Sequence, residues 1–406
     1  MQARLLELGS VIEVTADRVA YGGDAVARAG GLAVFIPFAA PGDRLLVRVT
    51  ELRKSYARAV IQKVLAASPS RRRPLCHHFG ECGGCQLQHI TYEAQLCAKT
   101  SFVRDALTRI GKIDWSEEIR MLHDREFGYR ARARVKMERA IGAAGSLPNI
   151  GFNRAGSRTV CDIDTCPVLL PELNDALASL RARFRGGETS NTGSGTGSLP
   201  AEVELAAGES GVVESLDGLS TEIVTQRVSG VRYCFTPSTF FQVNPFLLEA
   251  LVQEAVGGHT GETAVDLYCG VGLFSIPLAR SFRFVVGVEW NKGACDLARE
   301  NASAAGVHNV EFHSDCVDDW IDVAISRKLV PDLVMLDPPR TGAAKSIPRI
   351  AALEPRVIVY VSCDPATLAR DARSLIDAGY RLSRVTALDL FPQTHHVETV
   401  AVLERA

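Results

Sequence analysis

The sequence predicts an α/β protein whose C-terminal part is a doubly wound, mostly parallel β-sheet. Short apolar runs recur through that part, helix-like segments separate them, and each run ends in a polar or reactive residue. Strands that alternate with helices are typical of parallel sheets. The carboxyl ends of such strands meet at one edge, where ligands bind, so we expect the terminal residues to share a site. These residues are Asp266, Glu289, Asp337 and Cys363.

The N-terminal segment, residues 1–68, predicts a small β-barrel of the oligonucleotide-binding kind, because short β-like runs alternate there with Gly and Pro turns. Residues 1–75 hold 12 Lys/Arg against 6 Asp/Glu, a net charge of +6, whereas the whole chain carries −2. A basic module on an acidic body indicates nucleic-acid binding by phosphate neutralisation. The alternative is an ordinary solvated barrel surface.

The central segment, residues 69–231, opens with a cysteine motif. Cys76, Cys82 and Cys85 fall within ten residues, and two glycines let the backbone fold around a bound group. The chain has 11 cysteines and starts without the apolar core of a signal peptide, which favours metal or catalytic use over disulfides. The motif alone is compatible with zinc, an iron–sulfur cluster or structural thiols.

A strand-like run at residues 129–136 would place four cations on one face and Ala131, Ala133 and Val135 on the other. The four cations are Arg130, Arg132, Arg134 and Lys136. They repel each other unless something anionic lies across them. We therefore expect RNA backbone at this face, with a solvated face as the alternative.

Two further segments bear on the domain boundaries. Residues 186–198 are rich in Gly, Ser and Thr and predict a flexible surface insertion. The C-terminal domain is expected to span residues 232–406, and helix-like residues 92–110 are candidates to cross back and pack on it.

Cys363 is a candidate nucleophile. It follows the apolar run 357–362 and precedes Asp364 and Pro365, a helix cap with proline at the first helical position. Aligned N–H groups at a helix amino terminus favour a thiolate. The alternative is a small buried residue at a strand end.

The turn after the first of the parallel strands contains a Gly-x-Gly pattern at Gly270 and Gly272, which allows close approach of the backbone to a ligand. The full dinucleotide pattern is absent. Glu289 lies about twenty residues later, where a carboxylate can accept from both ribose hydroxyls. An adenosine cofactor without a pyrophosphate, such as S-adenosylmethionine, satisfies both features. The alternative is an NAD-binding sheet.

Together these motifs resemble the RNA uracil-C5 methyltransferase family over nearly the whole chain. The matching segments are Phe240-Phe241-Gln242-Val243-Asn244, Asp266-Leu267-Tyr268-Cys269-Gly270, Asp337-Pro338-Pro339-Arg340, Ser362-Cys363-Asp364-Pro365-Ala366-Thr367, and Phe391-Pro392 followed by His396 and Glu398. Residues 22–28 and 41–43 are similar to the TRAM domain. The resemblance implies a Rossmann-like class I methyltransferase domain, an OB-like TRAM barrel and an α+β central iron–sulfur domain.

The resemblance assigns Cys363 as the nucleophile and Glu398 as the base. Uracil C5 is a poor nucleophile, but a thiolate that adds to C6 generates an enolate whose C5 can attack a methyl sulfonium. Glu398 would then remove the C5 proton. Because it precedes an apolar strand, we expect it to be partly buried with a raised pKa. His395 and His396 are expected to orient the site, without separable roles.

Further assignments follow from the same resemblance. The pocket for S-adenosylmethionine is expected to contain Gln242, Tyr268, Glu289 and Asp337, and Asp315 is a weaker candidate for the adenine amino group. Asp337 is expected to contact the flipped pyrimidine as well. A [4Fe–4S] cluster is expected on Cys76, Cys82, Cys85 and Cys166, with Cys161 and Cys97 as alternatives for the fourth ligand.

Three functions are compatible with these residues. The first is methylation of a uridine in 23S rRNA, the second is methylation of the T-loop uridine of tRNA, and the third is a catalytically silent RNA-binding iron–sulfur protein. A hydrophobic fraction of 47% supports substantial cores. No apolar run approaches membrane-spanning length, so we expect a cytoplasmic, monomeric enzyme without a membrane partner.

Overall fold

The computed structural model describes residues 6–139, 147–186 and 199–406. The insertion expected at residues 186–198 lies, apart from Gly186, outside the described residues. Within them the chain forms a barrel domain, a central domain and a C-terminal domain.

The barrel domain is one six-stranded sheet. Its strands are β1 (Val11–Thr15), β2 (Arg18–Val19), β3 (Ala25–Ala29), β4 (Leu32–Ile36), β5 (Arg44–Leu52) and β6 (Tyr56–Ala66), in the order β1-β5-β6-β4-β3-β2. Alternate residues such as Leu45, Val47 and Val49 are buried in one apolar cluster, as the two-residue period of a strand requires. The sheet therefore curls around its own apolar side.

A buried carboxylate joins the barrel to the segment that follows it. Asp43 is 0% exposed and accepts hydrogen bonds from Ser68 N at 2.9 Å and from the Arg71 guanidinium at 2.5 Å. Burial opposes ionisation, but these hydrogen bonds outweigh it and lower the pKa of Asp43. Arg72 forms a 2.8 Å ion pair with Glu126. The arginine run that starts at Arg71 is thus part of the packed structure.

The central domain is an antiparallel sheet covered by one helix. After α1 (Tyr92–Arg109) and β7 (Arg120–Leu122), the chain forms β8 (Arg132–Glu138), β9 (Asn149–Asn153), β10 (Val160–Asp162), α2 (Pro171–Arg185), β11 (Glu202–Gly208) and β12 (Gly211–Leu216). The sheet has the order β10-β9-β8-β11-β12. Leu173, Leu177, Leu180 and Phe184 follow helical spacing on α2 and are buried in the cluster that covers this sheet.

The C-terminal domain begins with a hairpin and continues as alternating strands and helices. Its elements are β13 (Val224–Val228), β14 (Val231–Phe235), a 3-10 turn (Pro245–Leu247), α3 (Leu248–Val256), β15 (Gly261–Leu267), α4 (Ser275–Leu278), β16 (Phe282–Val288), α5 (Lys292–Ala304), β17 (Val310–His313), α6 (Val317–Ser326), β18 (Leu333–Leu336), α7 (Ile347–Ala352), β19 (Val357–Ser362), α8 (Pro365–Asp377), β20 (Tyr380–Leu388) and β21 (Glu398–Arg405).

Eight strands form the sheet, in the order β17-β16-β15-β18-β19-β21-β20-β7. Neighbouring strands from β17 to β19 pair in parallel, and β21 pairs antiparallel with both β19 and β20. One apolar cluster packs on each face. The expected doubly wound sheet is confirmed. Its strand order reverses between β15 and β18, which opens a crevice at their carboxyl ends.

Two segments assigned from sequence to residues 69–231 lie with the C-terminal domain instead. Strand β7 pairs in parallel with β20, and α1 packs against α8, as expected from the sequence for residues 92–110. The hairpin β13–β14 contributes Val224, Tyr233 and Phe235 to the C-terminal core. The boundary at residue 232 therefore cuts through a packed hairpin. Local patterns identify the elements, whereas long-range pairing decides which sheet they join.

None of the described helices is both long and apolar enough to cross a membrane.

Candidate active site and cysteine cavity

The register of β19 against β21 brings the candidate nucleophile and base together. The last pair of this antiparallel ladder is Ser362 opposite Thr399. One step further, Cys363 lies opposite Glu398, the first residue of β21. Residues 35 positions apart in sequence thus face each other across one pair of strands at the edge of the sheet.

The surroundings of Cys363 do not favour a thiolate in the free protein, contrary to the expectation from its place before α8. Burial first, and Glu398 second, raise the pKa of the thiol to about 12, while Arg340 opposes this shift. The helix N–H groups are already used, because Asp364 Oδ1 accepts from Ala366 N at 2.8 Å and from Thr367 N at 3.0 Å. The cap competes with the thiol for the same donors.

Glu398 is 2% exposed, and its pKa lies well above the usual value. Burial is the main cause and the neighbouring Asp337 adds to it, whereas Arg340 lowers the pKa. Burial likewise raises the pKa of Asp337. Arg340 therefore favours the ionised forms of both Cys363 and Glu398. It also lies 3.4 Å from Nε2 of His396.

A cleft beside Asp337 holds the side chains expected to bind the cofactor. Gln242 is 6% exposed, and its Nε2 donates to Asp337 Oδ2 at 3.3 Å. Gln242, Tyr268, Gly270 and Asp337 line the same cleft. Tyr268 has φ +63°, a left-handed conformation that costs energy for a non-glycine residue and is typical of functional turns.

Glu289 lies beside this cleft, where two backbone N–H groups hold its carboxylate. Its two carboxylate oxygens accept from Gly270 N at 3.1 Å and from Asn291 N at 2.8 Å, so that the carboxylate is fixed beside the turn. Asp315 follows β17 and is exposed, 3.8 Å from the ring of His313. Asp266 is a fully buried acid on β15, just before the turn, and it accepts a hydrogen bond from Ser275 Oγ at 2.5 Å.

The segment before β21 carries the two histidines and contacts the cysteine motif. His395 Nδ1 and Gln86 Oε1 lie 3.1 Å apart, while His396 faces Arg340. Burial lowers the pKa of His395 to about 4 and that of His396 to about 3, so both rings are neutral near pH 7. Their contacts differ: His395 faces Gln86 beside the cysteine motif, and His396 faces Arg340.

Backbone hydrogen bonds reinforce this contact. The N–H groups of Gln86 and Leu87 both donate to Gln393 O, at 3.0 and 2.9 Å. Gln393 has φ +68° and is fully buried. Its backbone N–H donates to Gln95 Oε1 at 3.0 Å. The residues that follow Cys85 therefore hold the turn that leads into Glu398.

A cavity of about 420 Å³ lies on the other side of this contact. Four thiols line it, those of Cys76, Cys82, Cys85 and Cys166. Cys97 and Cys161 do not belong to its lining: Cys97 is exposed on α1, and Cys161 is buried in the core of the central domain. The bound group expected here therefore has four thiol donors around a single space.

These thiols are protonated when nothing balances their charge. Burial raises the pKa of all four, that of Cys85 to about 12, and each thiol is also affected by its neighbours. Thiolates are good ligands for iron–sulfur clusters and zinc. Four sulfur donors around a cavity of this size suit such a group, whose cations would offset the cost of ionising buried thiols.

The basic face of β8 differs from its sequence interpretation. Residues 131–137 alternate as expected, but the anionic groups across the cations belong to the protein. Arg134 bonds to Glu204 at 2.6 Å, Lys136 pairs with Glu202, and Arg132 donates to Pro237 O at 2.6 Å. The sequence could not show that β11 pairs with β8 and brings two glutamates opposite these cations.

Arg340 and Tyr21 are the residues that sequence reasoning passed over. Arg340 belongs to the motif that begins at Asp337, and its position after two prolines at a strand end was an available signal. Tyr21 belongs to the barrel, yet its hydroxyl lies 3.2 Å from Asp364 Oδ2. No sequence signal links residues 343 positions apart.

Comparisons with known proteins agree with this arrangement. The sequence model described as tRNA (uracil-5-)-methyltransferase matches residues 219–406, and that of the TRAM domain matches residues 6–61. The first match begins before β13, as the packing of the hairpin requires.

Similar proteins cover nearly the full length. A Shewanella amazonensis protein named 23S rRNA (uracil(1939)-C(5))-methyltransferase is 35% identical, with 98% of this chain and 96% of the relative aligned. A protein of the same name from Cronobacter sakazakii is also 35% identical, with 97% of this chain and 96% of the relative aligned. The solved structure of Pyrococcus abyssi tRNA (uracil-54, C5)-methyltransferase in complex with S-adenosyl-L-homocysteine matches with a TM-score of 0.72 and 28% identity, over 97% of this chain and 100% of that one.

Proposed function

The chain belongs to the family of RNA uracil-C5 methyltransferases, and from that membership we propose that it methylates C5 of a uridine in 23S rRNA through covalent attack by Cys363. The single observation that carries the catalytic assignment is the strand register. Cys363 and Glu398 lie one step beyond the last pair of β19 and β21, and the charges of Asp337 and Arg340 act on both. Nucleophile, base and cation are thereby within reach of one pyrimidine ring.

In the first step the Cys363 sulfur bonds to C6 of uracil. The electron pair of the C5=C6 bond moves toward O4 and leaves an enolate. The thiol must first release its proton to solvent, a step that the negative charge of Glu398 disfavours and the guanidinium of Arg340 favours. We therefore assign to Arg340 the role of stabilising the thiolate. A pyrimidine can reach this sulfur only if it is unpaired or flipped out of its stack.

In the second step C5 takes the methyl group and then loses its proton. We place S-adenosylmethionine at Gln242, Tyr268, Glu289 and Asp337, which would hold it there; its sulfonium would supply the methyl group and become a neutral thioether. Glu398 accepts the C5 proton, the C5=C6 bond re-forms, and the bond between C6 and the Cys363 sulfur breaks. A raised pKa suits Glu398 to this role, because a more basic carboxylate accepts a carbon-bound proton more readily.

We place a [4Fe–4S] cluster on Cys76, Cys82, Cys85 and Cys166. Four thiols around one cavity support this, and the exclusion of Cys161 and Cys97 from its lining favours Cys166 as the fourth ligand. The hydrogen bonds from Gln86 and Leu87 to Gln393 suggest a structural purpose. When the cysteine motif and the residues that follow it, Gln86 and Leu87, are ordered, they fix the turn before Glu398. The methyl transfer itself needs no electron transfer.

The RNA target rests on the names of relatives. Two proteins at 35% identity carry the name of a 23S rRNA methyltransferase. The second candidate target is the T-loop uridine of tRNA, because a full-length structural match at 28% identity is named a tRNA (uracil-54, C5)-methyltransferase. A six-stranded barrel on the flank of the site suits either RNA.

Mapping 5-methyluridine across rRNA and tRNA distinguishes these targets. In a strain that lacks the gene, we expect one uridine of 23S rRNA to lose its methyl group. The intact gene should restore it, and the Cys363→Ala gene should not. Loss confined to tRNA would transfer the assignment to the second candidate. An unchanged pattern in both RNAs would contradict the proposed function.

A further inference from the structure

The barrel reaches the active site through one turn. This turn, residues 20–24 between β2 and β3, is closed by hydrogen bonds from Gly23 N to Ala20 O at 3.0 Å and from Ala20 N to Asp24 O at 2.8 Å. Gly23 has φ +101°, and a Cβ there would lie 2.7 Å from Cβ of Gln86. Only glycine allows this turn to lie so close to the cysteine loop.

The tip of the turn is Tyr21, whose ring packs edge-on against two other parts of the protein. Its centroid lies 5.8 Å from that of Phe102 on α1 and 5.2 Å from that of His395. The Tyr21 hydroxyl lies 3.2 Å from Asp364 Oδ2. Burial and the nearby Asp364 carboxylate raise the pKa of Tyr21, so its hydroxyl stays protonated and donates.

Asp364 is the residue that follows the nucleophile, and its two oxygens serve different partners. Oδ1 caps α8, whereas Oδ2 accepts from Tyr21. Its carbonyl oxygen accepts from Ser362 Oγ at 3.1 Å, and its N–H donates to the same hydroxyl at 3.2 Å. Cys363 thus lies between two residues fixed to each other, and Tyr21 is the contact from outside this loop.

The barrel is held where this contact can persist. Arg18 on β2 forms an ion pair with Asp105 on α1, and α1 in turn is tied to the C-terminal domain by Lys99, whose Nζ lies 2.5 Å from Asp389 Oδ1. Both residues of the second pair are fully buried. The turn therefore approaches Cys363 as part of a fixed interface.

We propose that Tyr21 is a positioning residue for the nucleophile, so that the barrel forms one wall of the active site in addition to any contact with RNA. The proposal rests on the proposed role of Cys363. By holding Asp364, the Tyr21 hydroxyl fixes the backbone that carries the sulfur, and its hydrogen bond partly screens the carboxylate charge beside it. Methyl transfer then depends on the barrel even when RNA is saturating.

Tyr21 is 40% exposed, so the competing role is stacking on an RNA base. The two roles need different parts of the side chain. Stacking needs the ring and not the hydroxyl, whereas positioning needs the hydroxyl. Tyr21→Phe removes the hydroxyl alone, and Tyr21→Ala removes both. Tyr56→Phe is the matched control, because Tyr56 is a barrel tyrosine whose hydroxyl lies 3.5 Å from Glu51 instead.

The first measurement is kcat and KM for RNA at saturating S-adenosylmethionine. For Tyr21→Phe we expect kcat to fall about tenfold at an unchanged KM, since a small displacement of a reacting atom is costly. Asp364→Asn keeps a side-chain oxygen to cap α8. In a double-mutant cycle with Tyr21→Phe, the two losses should not add, because both remove the same contact.

The second measurement needs no methyl transfer. The rate at which iodoacetamide alkylates Cys363, followed by mass spectrometry of its peptide, gives the pH profile of the thiol. Tyr21→Phe should shift this profile to higher pH, since the Asp364 charge is then no longer screened by this hydrogen bond, whereas Tyr56→Phe should leave it in place. This readout stays interpretable if the RNA target is wrong, and a wild-type protein without methyl transfer would contradict only the proposed function.

Normal kcat and a normal alkylation profile in Tyr21→Phe would overturn the proposal. In that case, a raised KM in Tyr21→Ala would identify Tyr21 as an RNA contact, and no change in either variant would leave it without a role. Thermal melting of each variant separates these outcomes from unfolding.

Discussion

At the scale of single residues, the charge of three neighbouring acids controls the candidate site. Burial raises the pKa of Cys363, Glu398 and Asp337, and Arg340 is the cation that opposes the shift in the first two. The candidate nucleophile Cys363 is therefore a thiol in the free protein. Activation must come with the ligands, since positive charge or a hydrogen bond brought into this pocket lowers the cost of the thiolate.

Replacement of either proposed catalytic residue should stop the reaction at a different point. Cys363→Ala should abolish methyl transfer while S-adenosylmethionine still binds. Glu398→Gln should allow addition and methylation but block removal of the C5 proton, so that a covalent enzyme–RNA adduct accumulates on a denaturing gel. Cys97→Ala, at an exposed position on α1, is the control and should behave like the wild type. Normal turnover by Cys363→Ala would exclude the assignment.

The pH dependence of Cys363 alkylation should report these neighbours directly. Because the Glu398 charge raises the pKa of the thiol, the neutral Glu398→Gln should lower that pKa and speed alkylation at a fixed pH. Arg340→Gln removes the opposing cation, so it should raise the pKa and slow alkylation. In the wild type the rate should increase with pH toward about 12. If both variants shift the profile in the same direction, the electrostatic account is wrong.

At the scale of elements, the cysteine loop and the turn before β21 act as one unit. Anaerobically purified protein should be brown and carry about four irons per chain. Cys76→Ser, Cys82→Ser, Cys85→Ser and Cys166→Ser should each lose iron, whereas Cys161→Ser and Cys97→Ser should retain it, because only the first four line the cavity. Stoichiometric zinc without iron would refute the cluster, and iron loss in Cys161→Ser alone would change the fourth ligand.

A buried ion pair joins α1 to the C-terminal domain. Lys99 and Asp389 are fully buried, with Nζ and Oδ1 2.5 Å apart, and Lys99 also donates to Phe391 O at 2.9 Å. Lys99→Met leaves the Asp389 carboxylate unpaired and should cost about 3–5 kcal/mol in the free energy of unfolding. Urea denaturation measures this loss, with the exposed Lys54→Met as control. Lys99→Met combined with Asp389→Leu should recover part of it, and equal losses in both would argue against charge as the cause.

At the scale of the whole molecule, the cations of β8 are largely paired within the protein, so the barrel becomes the main candidate for phosphate contacts. Arg48 on β5 and Lys63 on β6 are exposed there. Arg48→Glu with Lys63→Glu should weaken RNA binding and reduce the slope of log K against log salt by about one for each phosphate that the protein no longer neutralises. Affinity for S-adenosylmethionine should barely change.

A matched control for this charge reversal lies in the C-terminal domain, at the edge of its sheet opposite the carboxyl ends of the parallel strands. Arg327 and Lys328 follow the end of α6, which runs back from the carboxyl edge, and both are exposed. Arg327→Glu with Lys328→Glu changes the net charge by the same amount. An equal loss of RNA affinity in both double variants would indicate a general charge effect and would contradict the assignment of the barrel as the specific RNA-binding surface.

Local patterns along the chain were enough to identify the elements and the chemistry that they carry. Apolar runs between helix-like segments predicted the parallel sheet, because buried strands need continuous apolar side chains. Polar residues at strand ends predicted a candidate site at one edge of the sheet, and the spacing of the cysteines indicated a bound group. These features depend on neighbours along the chain, which a single sequence displays in full.

Contacts between residues that are distant in sequence became visible only in the folded protein. The strand register brings Cys363 and Glu398 to the same end of one strand pair, and the sheet of the central domain places Glu202 and Glu204 across the cations of β8. The barrel brings Tyr21 to Asp364. Whether Cys363 is a thiol or a thiolate depends on burial and on charges that approach from other segments. Such contacts arise from the packing of whole domains, for which a local sequence pattern carries no signal.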